Sequence, residues 1–343
     1  MDKTNLTGLS REELAAYFES LGEKSFRAYQ LFSWIHHHRV TSFDEMTNIP
    51  KTLRQKLKNN ATLEQMITLS VNSSRQTQSR KFLFELSDGK TIESVYLPDD
   101  HRHTVCLSVQ VGCGLNCKFC ATGKMGFIRH LSTSEIVGQL ITIQREVPFR
   151  ITNVVLMGMG EPFLNYENVI KAAYLINDDY GFSISARKIT ISTAGIIPKI
   201  YQYADEGHKF NLAFSLNAAD DTTRLNLMPI NRKYPLEQCF RALEYYTQKS
   251  KRRVTLEYVL IAGVNDSNED VRRLVKITNQ LKCKLNVIPY NPIHVEDFKS
   301  PINKELNVFV QKVSVSKRIV MVRWSQGKDI NGACGQLYAE SNS

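Results

Sequence analysis

The chain has 343 residues, 42% of them hydrophobic, and no run approaches eighteen apolar residues, so one large α/β domain with a smaller appendage is expected, without a transmembrane span. Its net charge of +10 lies beyond residue 100, because residues 1–100 hold 13 basic and 13 acidic side chains and leave 31 and 21 to the rest; such a surplus fits a polyanionic partner, whether RNA, DNA or an anionic membrane. Seven cysteines, an odd number with three clustered, argue against a secreted disulfide framework, and the opening Met1-Asp2-Lys3-Thr4 has no apolar signal core, so a cytoplasmic protein in a reducing compartment is expected.

Residues 1–60 read as helical. Ser10 opens a capping box with Glu13, and Leu14, Tyr17, Phe18 and Leu21 then share one face. A second helix runs from about Ser25 to Trp34. His36, His37 and His38 are adjacent and diverge on a helix, so surface or partly packed positions are expected rather than a metal site. Over 65–97 the period becomes two: Phe82, Phe84 and Leu86 alternate with polar neighbours, Asp88-Gly89 turns the chain, and Ile92-Glu93-Ser94-Val95 follows. The expected division is an N-terminal helical and β-hairpin accessory domain over 1–97 and a core domain over 98–343.

From about residue 104 the pattern is strand, loop, helix, repeated. A strand is expected over 105–111, a helix over 133–146, and further strands over 153–157, 188–192, 212–216, 254–261, 285–289 and 319–323. Such alternation with buried β-branched runs implies a parallel sheet curved into a full or partial barrel. Chemistry in such barrels gathers at the C-terminal strand ends. Those ends carry a cysteine loop, then Gly158-Met159-Gly160-Glu161-Pro162, Ser192-Thr193-Ala194-Gly195, Ser215-Leu216-Asn217 and Pro289-Tyr290-Asn291-Pro292.

The cysteine loop is Cys113-Gly-Leu-Asn-Cys117-Lys-Phe-Cys120. Structural zinc wants four ligands in paired knuckles, and ferredoxin clusters cap every iron with a thiolate. Three thiols in one loop, with no fourth at knuckle spacing, suit a 4Fe–4S cube with one iron open to a ligand such as S-adenosylmethionine (SAM). Zinc stays open as the rival, in a non-catalytic RNA-binding protein. Cys106, Cys334, Cys239 and Cys283 read from composition alone as buried core thiols, and Met157 and Met159 as packing groups beside a glycine turn.

Taken together, several stretches resemble the radical-SAM enzymes and, more narrowly, the RlmN-type dual-specificity RNA methyltransferases. They are Gln110-Val111-Gly112-Cys113, Cys117-Lys118-Phe119-Cys120-Ala121-Thr122, Gly158 to Pro162, Ser192 to Gly195, Met228-Pro229-Ile230-Asn231 and Ala333-Cys334-Gly335-Gln336-Leu337, in the family's order along nearly the whole chain. The triplet marks the superfamily; Cys334, with Cys106 seven residues before the cluster, marks the methyltransferases. Two departures stand out. Asn331-Gly332 precedes Ala333 where relatives place Asp-Ala, and Pro162 follows Glu161 where the carbon-8 enzymes of the Cfr type have Ala. The latter favours carbon 2 of adenosine over carbon 8, the antibiotic-resistance alternative.

The resemblance implies a partial (βα)6 barrel with the N-terminal accessory domain, and it implies roles. Cys113, Cys117 and Cys120 would ligate the cluster. Gly160 and Glu161 would meet the amino group of SAM, the segment Ser192, Ser215, Leu216 and Asn217 its ribose and carboxylate, and Asn291 its adenine. Cys334 would carry the methyl group, Cys106 would resolve the adduct through a disulfide, and Glu93, by default a solvated hairpin carboxylate, would accept the ring proton. Two SAM molecules would serve each turnover, because an adenine C–H has no lone pair to attack the first. The implied partners are 23S rRNA, tRNA and an electron donor of flavodoxin or ferredoxin type, with the enzyme a monomer.

Overall fold

The structure, a computed structural model, describes residues 3–64, 66–293 and 298–339. Ser10 caps the helix Arg11–Ser20 as a full capping box: its hydroxyl accepts the Glu13 amide, and Glu13 Oε2 accepts the Ser10 amide at 2.7 Å. Leu14 and Phe18 are fully buried on the face so created. The helix Arg27–Ser33 continues as a wider turn, Trp34–His38, and Lys51–Asn60 follows. A short parallel pairing of Thr4–Asn5 with Ala61–Thr62 ties the two ends of this helical unit together. One expectation fails here. His36 is fully buried, its ring 4.2 Å from that of Phe32, whereas His37 and His38 are exposed. The wide turn rotates His36 into the seam with Gly181 and Phe182.

Among the described residues the main sheet has ten strands. From one edge they run Ile319–Val322, Cys283–Pro289, Val254–Leu260, Asn211–Ser215, Ile189–Thr193, Asn153–Leu156, Arg102–Cys106, Thr91–Asp99, Arg80–Glu85 and Ile67–Ser73. The first seven are parallel neighbours. They form six strand–helix units capped by a seventh strand, with the helices Thr133–Glu146, Tyr166–Asn177, Ile197–Asp205, Asp221–Leu227 with Leu236–Ser250, Asn268–Gln280 and Asn303–Val313 in the crossovers. This is the expected partial barrel. The strand Asn153–Leu156 carries the unbroken apolar run Val154-Val155-Leu156, as expected where helices cover the outer face.

The hairpin strands extend this sheet antiparallel to Arg102–Cys106. The boundary expected at residue 97 falls inside the strand Thr91–Asp99, and the hairpin shares the barrel's hydrogen-bonding. The expected strand over 105–111 is also divided. It leaves the sheet after Cys106, and Gln110–Cys113 pairs instead with Gly126–His130. Ser108 is the cause: its amide and carbonyl are taken by the Gln139 side chain, and its hydroxyl donates to the Glu93 carbonyl at 2.5 Å. The break lifts the cysteine loop over the barrel mouth. No helix among the described residues is long and apolar enough to cross a membrane.

Candidate active site

Cys113 ends the strand Gln110–Cys113 and is buried, while Cys117 and Cys120 are half-buried in the turn that follows. Asn116 adopts φ +50°, and the Cys120 amide donates to the Cys117 carbonyl at 3.2 Å. Gly123 lies under this turn, where an added Cβ would stand 3.0 Å from the Cys117 nitrogen. Burial, and then the charge of neighbouring thiols, raises Cys117 well above the ordinary thiol range; burial likewise raises Cys113 to about 12. Three ionised sulfurs are therefore tolerable here only around a cationic centre. Among the described residues no three His, Cys, Asp or Glu side chains converge on a single ion.

Below the loop, Gly160 has φ +100° and lies against Gln110, whose Cβ would be 2.5 Å from any Cβ added there. Only glycine keeps this approach without displacing a buried side chain. Gln110 in turn accepts the Glu161 amide through Oε1 at 2.9 Å. The Glu161 carboxylate is buried and accepts the amides of Phe163 at 3.0 Å and Ala194 at 2.8 Å. Burial pushes it up to about 7, and no described cation faces it. An ammonium group is the partner such a carboxylate lacks.

The remaining strand ends converge. Ser192 Oγ donates to Leu156 O at 2.9 Å. Asn217, at φ +56°, accepts the Val259 amide at 3.0 Å. Leu216 buries its side chain in the core, so only its backbone faces the mouth. Asn291 donates to Ser325 Oγ and to the Cys334 carbonyl, each at 3.0 Å, while its Oδ1 is buried without a partner. A buried acceptor left open calls for a donor, and an exocyclic amine of adenine is one.

Cys106 and Cys334 come together although 228 positions separate them in the sequence. Cys106 is buried and pushed up to about 12, first by desolvation and then by the Cys334 sulfur. Cys334 is exposed and acts also on Cys120, and both are free thiols. Arg323 is held charged chiefly by Cys334, with Glu257 and Cys106 adding to it. Glu93 is no solvated hairpin residue. It is 4% exposed, pairs with Lys81 at 2.7 Å, and accepts the Tyr338 amide through Oε2 at 2.8 Å.

Sequence reasoning passed over Lys81, Arg224, Glu257, Asn286 and Arg323, and named Gln110 only within a family stretch, without a role. Arg224 is fully buried and donates to the carbonyls of Ala194, Ser215 and Leu216 and to Asn231 Oδ1. It thus clamps two strand ends to the Met228–Asn231 stretch. Ser215, Glu257, Asn286 and Met321 are paired in register across four adjacent strands, so the first three place polar groups in one row. A charged residue closing an apolar run, as in Ile319-Val320-Met321-Val322-Arg323, was the available signal.

An open parallel barrel with a three-cysteine loop over its mouth defines a radical-SAM protein, and residues 107–275 match the Radical SAM superfamily model. Residues 4–63 match a second model, the ribosomal RNA large subunit methyltransferase N-terminal domain. The chain is 42% identical to a probable dual-specificity RNA methyltransferase RlmN of Lachnospira eligens, over 97% of this chain and 95% of that one. It is equally identical to a dual-specificity RNA methyltransferase RlmN of Marinomonas, over 98% and 94%. The crystal structure of a radical SAM methyltransferase from Sphaerobacter thermophilus superposes with a TM-score of 0.94 at 39% identity, covering 98% of this chain and all of that one. The chain belongs to the RlmN family of radical-SAM RNA methyltransferases, and the family implies a 4Fe–4S cluster and SAM.

Proposed function

We propose that this protein methylates carbon 2 of an adenosine in 23S rRNA and in tRNA through an S-methyl group on Cys334. The observation that carries the reading is the meeting of exposed Cys334 with buried Cys106 beside Arg323, next to Cys120 of the cluster loop. Cys113, Cys117 and Cys120 would hold the cluster; Gly160, Glu161, Ser192, Ser215, Leu216, Asn217 and Asn291 would hold SAM. Together these groups, when bound, supply a methyl group and then a primary carbon radical, with two SAM molecules used per turnover.

The chain's own residues do the rest. Cys334 takes the methyl and releases its thiol proton. After one hydrogen atom is removed, the S-methylene carbon bonds to ring carbon 2. The adduct gives up one electron, which the cluster would accept when bound, and its ring proton goes to Glu93. The Cys106 thiol gives up its proton, and its sulfur attacks the Cys334 sulfur. The sulfur–carbon bond breaks, its electron pair stays with the methylene carbon, and that carbon takes a proton. The products are the methylated base and a Cys106–Cys334 disulfide, which two external electrons reduce. Arg323 lowers the cost of ionising Cys106. In this reading the basic surface binds the RNA, a flavodoxin or ferredoxin supplies electrons, and the enzyme works as a cytoplasmic monomer with an N-terminal accessory unit.

The test is a pair of variants. Cys334→Ala should retain iron and SAM but transfer no methyl group. Cys106→Ala should accumulate a protein–RNA adduct, seen as an RNase-sensitive shifted band on a denaturing gel, and mass mapping should place the modification on carbon 2. Equal insolubility of both variants, with no RNA attached to Cys106→Ala, overturns the two-thiol reading.

A further inference from the structure

Glu93 is fixed from several sides. Its Oε2 accepts the Tyr338 amide, four residues beyond Cys334, and its own amide meets Met159 Sδ at 3.2 Å. Its carbonyl accepts the Ser108 hydroxyl. The remaining carboxylate oxygen, Oε1, lies 2.7 Å from Lys81 Nζ, and the two side chains are 5% and 11% exposed. Strand register explains the pairing. Leu83 is opposite Glu93 and Val95 is opposite Cys106, so Lys81, Glu93 and Cys106 project from one face of the sheet. That face carries the C-terminal segment: a Cβ added to Gly332 would lie 3.5 Å from Val95 Cγ1.

We propose that Lys81 is a positioning residue for methyl transfer, holding Glu93 ionised and aimed so that it can accept the ring proton while tied to the segment that bears Cys334. The inference rests on the reading of Glu93 as proton acceptor. Burial alone drives a carboxyl toward its neutral form, and an adjacent ammonium opposes this. The charged and titratable groups on the elements around Glu93 are few. Lys81 comes from the strand Arg80–Glu85 and the Cys106 thiol from Arg102–Cys106; the C-terminal segment offers a backbone amide and the 158–161 turn a thioether. Among the described residues, Lys81 is the charged side chain whose field acts on Glu93, against a desolvation that is the larger effect. Removing one partner of a buried pair leaves the other uncompensated, so without Lys81 the base should titrate higher.

The experiment uses reconstituted full-length enzyme with an unmodified 23S rRNA fragment, measuring methylation rate from pH 6 to 9. In Lys81→Met the acid limb of the profile should move toward higher pH by about one pH unit, which makes methylation on that limb roughly tenfold slower. The rate should return toward the wild-type value at high pH, and Lys81→Arg should restore the original profile. Iron content and SAM affinity serve as the check on folding; should Lys81→Met fail it, Lys81→Gln removes the same charge while keeping a donor. A wild-type profile in the charge-removed variant, with Glu93→Gln inactive, overturns the role of Lys81 alone. Glu93→Gln methylating at the wild-type rate overturns the reading beneath it. A uniform rate loss at every pH, unrepaired by Lys81→Arg, also counts against the proposal, because it marks a merely structural pair.

Discussion

The side-chain amide of Asn291 donates to the backbone carbonyl of Cys334 at 3.0 Å, joining the end of the strand Cys283–Pro289 to the C-terminal cysteine. The same amide reaches Ser325, and the oxygen it leaves open is buried. One residue thus touches the loop that bears Cys334 and presents an acceptor to the mouth. Asn291→Ala should weaken SAM binding and loosen Cys334 together. Neutral hydrogen bonds contribute about 0.5–1.5 kcal/mol each, so a three- to tenfold loss of SAM affinity is expected. Alkylation of Cys334 by iodoacetamide should accelerate in the same variant. Unchanged affinity with unchanged alkylation would separate Asn291 from both.

Glu161 gives the site a pH dependence. Burial raises its carboxyl from 4.5 to about 7. A raised acid favours the protonated folded form, so its contribution to stability is present below pH 4.5 and lost as pH rises through about 7. A bound ammonium reverses the preference by pairing with the ionised form. SAM should therefore bind more tightly at pH 8 than at pH 6, and raise the melting temperature more at pH 8. Glu161→Gln should flatten that dependence and cost roughly 1.5–3 kcal/mol, about ten- to a hundredfold in affinity. Calorimetric titration at both pH values decides; equal affinities throughout place Glu161 outside the site.

The strand–helix register and the cysteine loop were legible because both are local signals. The helix expected over 133–146 is Thr133–Glu146, capped by Ser132 and Glu135, and the later strands fall within two residues of their expected bounds. What the sequence hid is long-range. Nothing near Ser108 announces that Gln139 and Glu93 will pull it from the sheet. Nothing in Asp221–Leu227 distinguishes Arg224 from a solvated arginine, because its acceptors are carbonyls of other strands. Cys106 and Cys334 are brought together by a C-terminal segment with little regular structure, so no periodicity links them. The family resemblance supplied their pairing.

Arg224 is a fully buried guanidinium that satisfies three carbonyls and one amide oxygen. Arg224→Met fills similar space but strands those acceptors, each costing about 1–3 kcal/mol when left buried and unpaired. A loss of at least about 3 kcal/mol in unfolding free energy is expected, read as a lower urea midpoint with unchanged slope. A surface-like loss below about 0.5 kcal/mol would show that the carbonyls find other donors.

The cluster loop makes the sharpest demand on the chain. Cys117 is raised well above the usual thiol range by burial and then by its two companions, and Cys113 to about 12. In the iron-free protein at pH 8 these thiols should be protonated and slow toward iodoacetamide, while exposed Cys334 reacts. Metal loading must then expel protons, since the thiolate is the ligand. Anaerobic reconstitution in weak buffer should release close to three protons per cluster from the thiols, beyond the one that each hydrosulfide gives up. Cys117→Ala should lose iron and SAM cleavage but keep its fold, because the loop rests on a separate small apolar cluster of Ala121, Leu227, Met228 and Tyr290. Circular dichroism and iron content measure the two halves of that expectation. A Cys117→Ala protein with full iron and full SAM cleavage would refute the assignment of the loop as the cluster's only protein ligands.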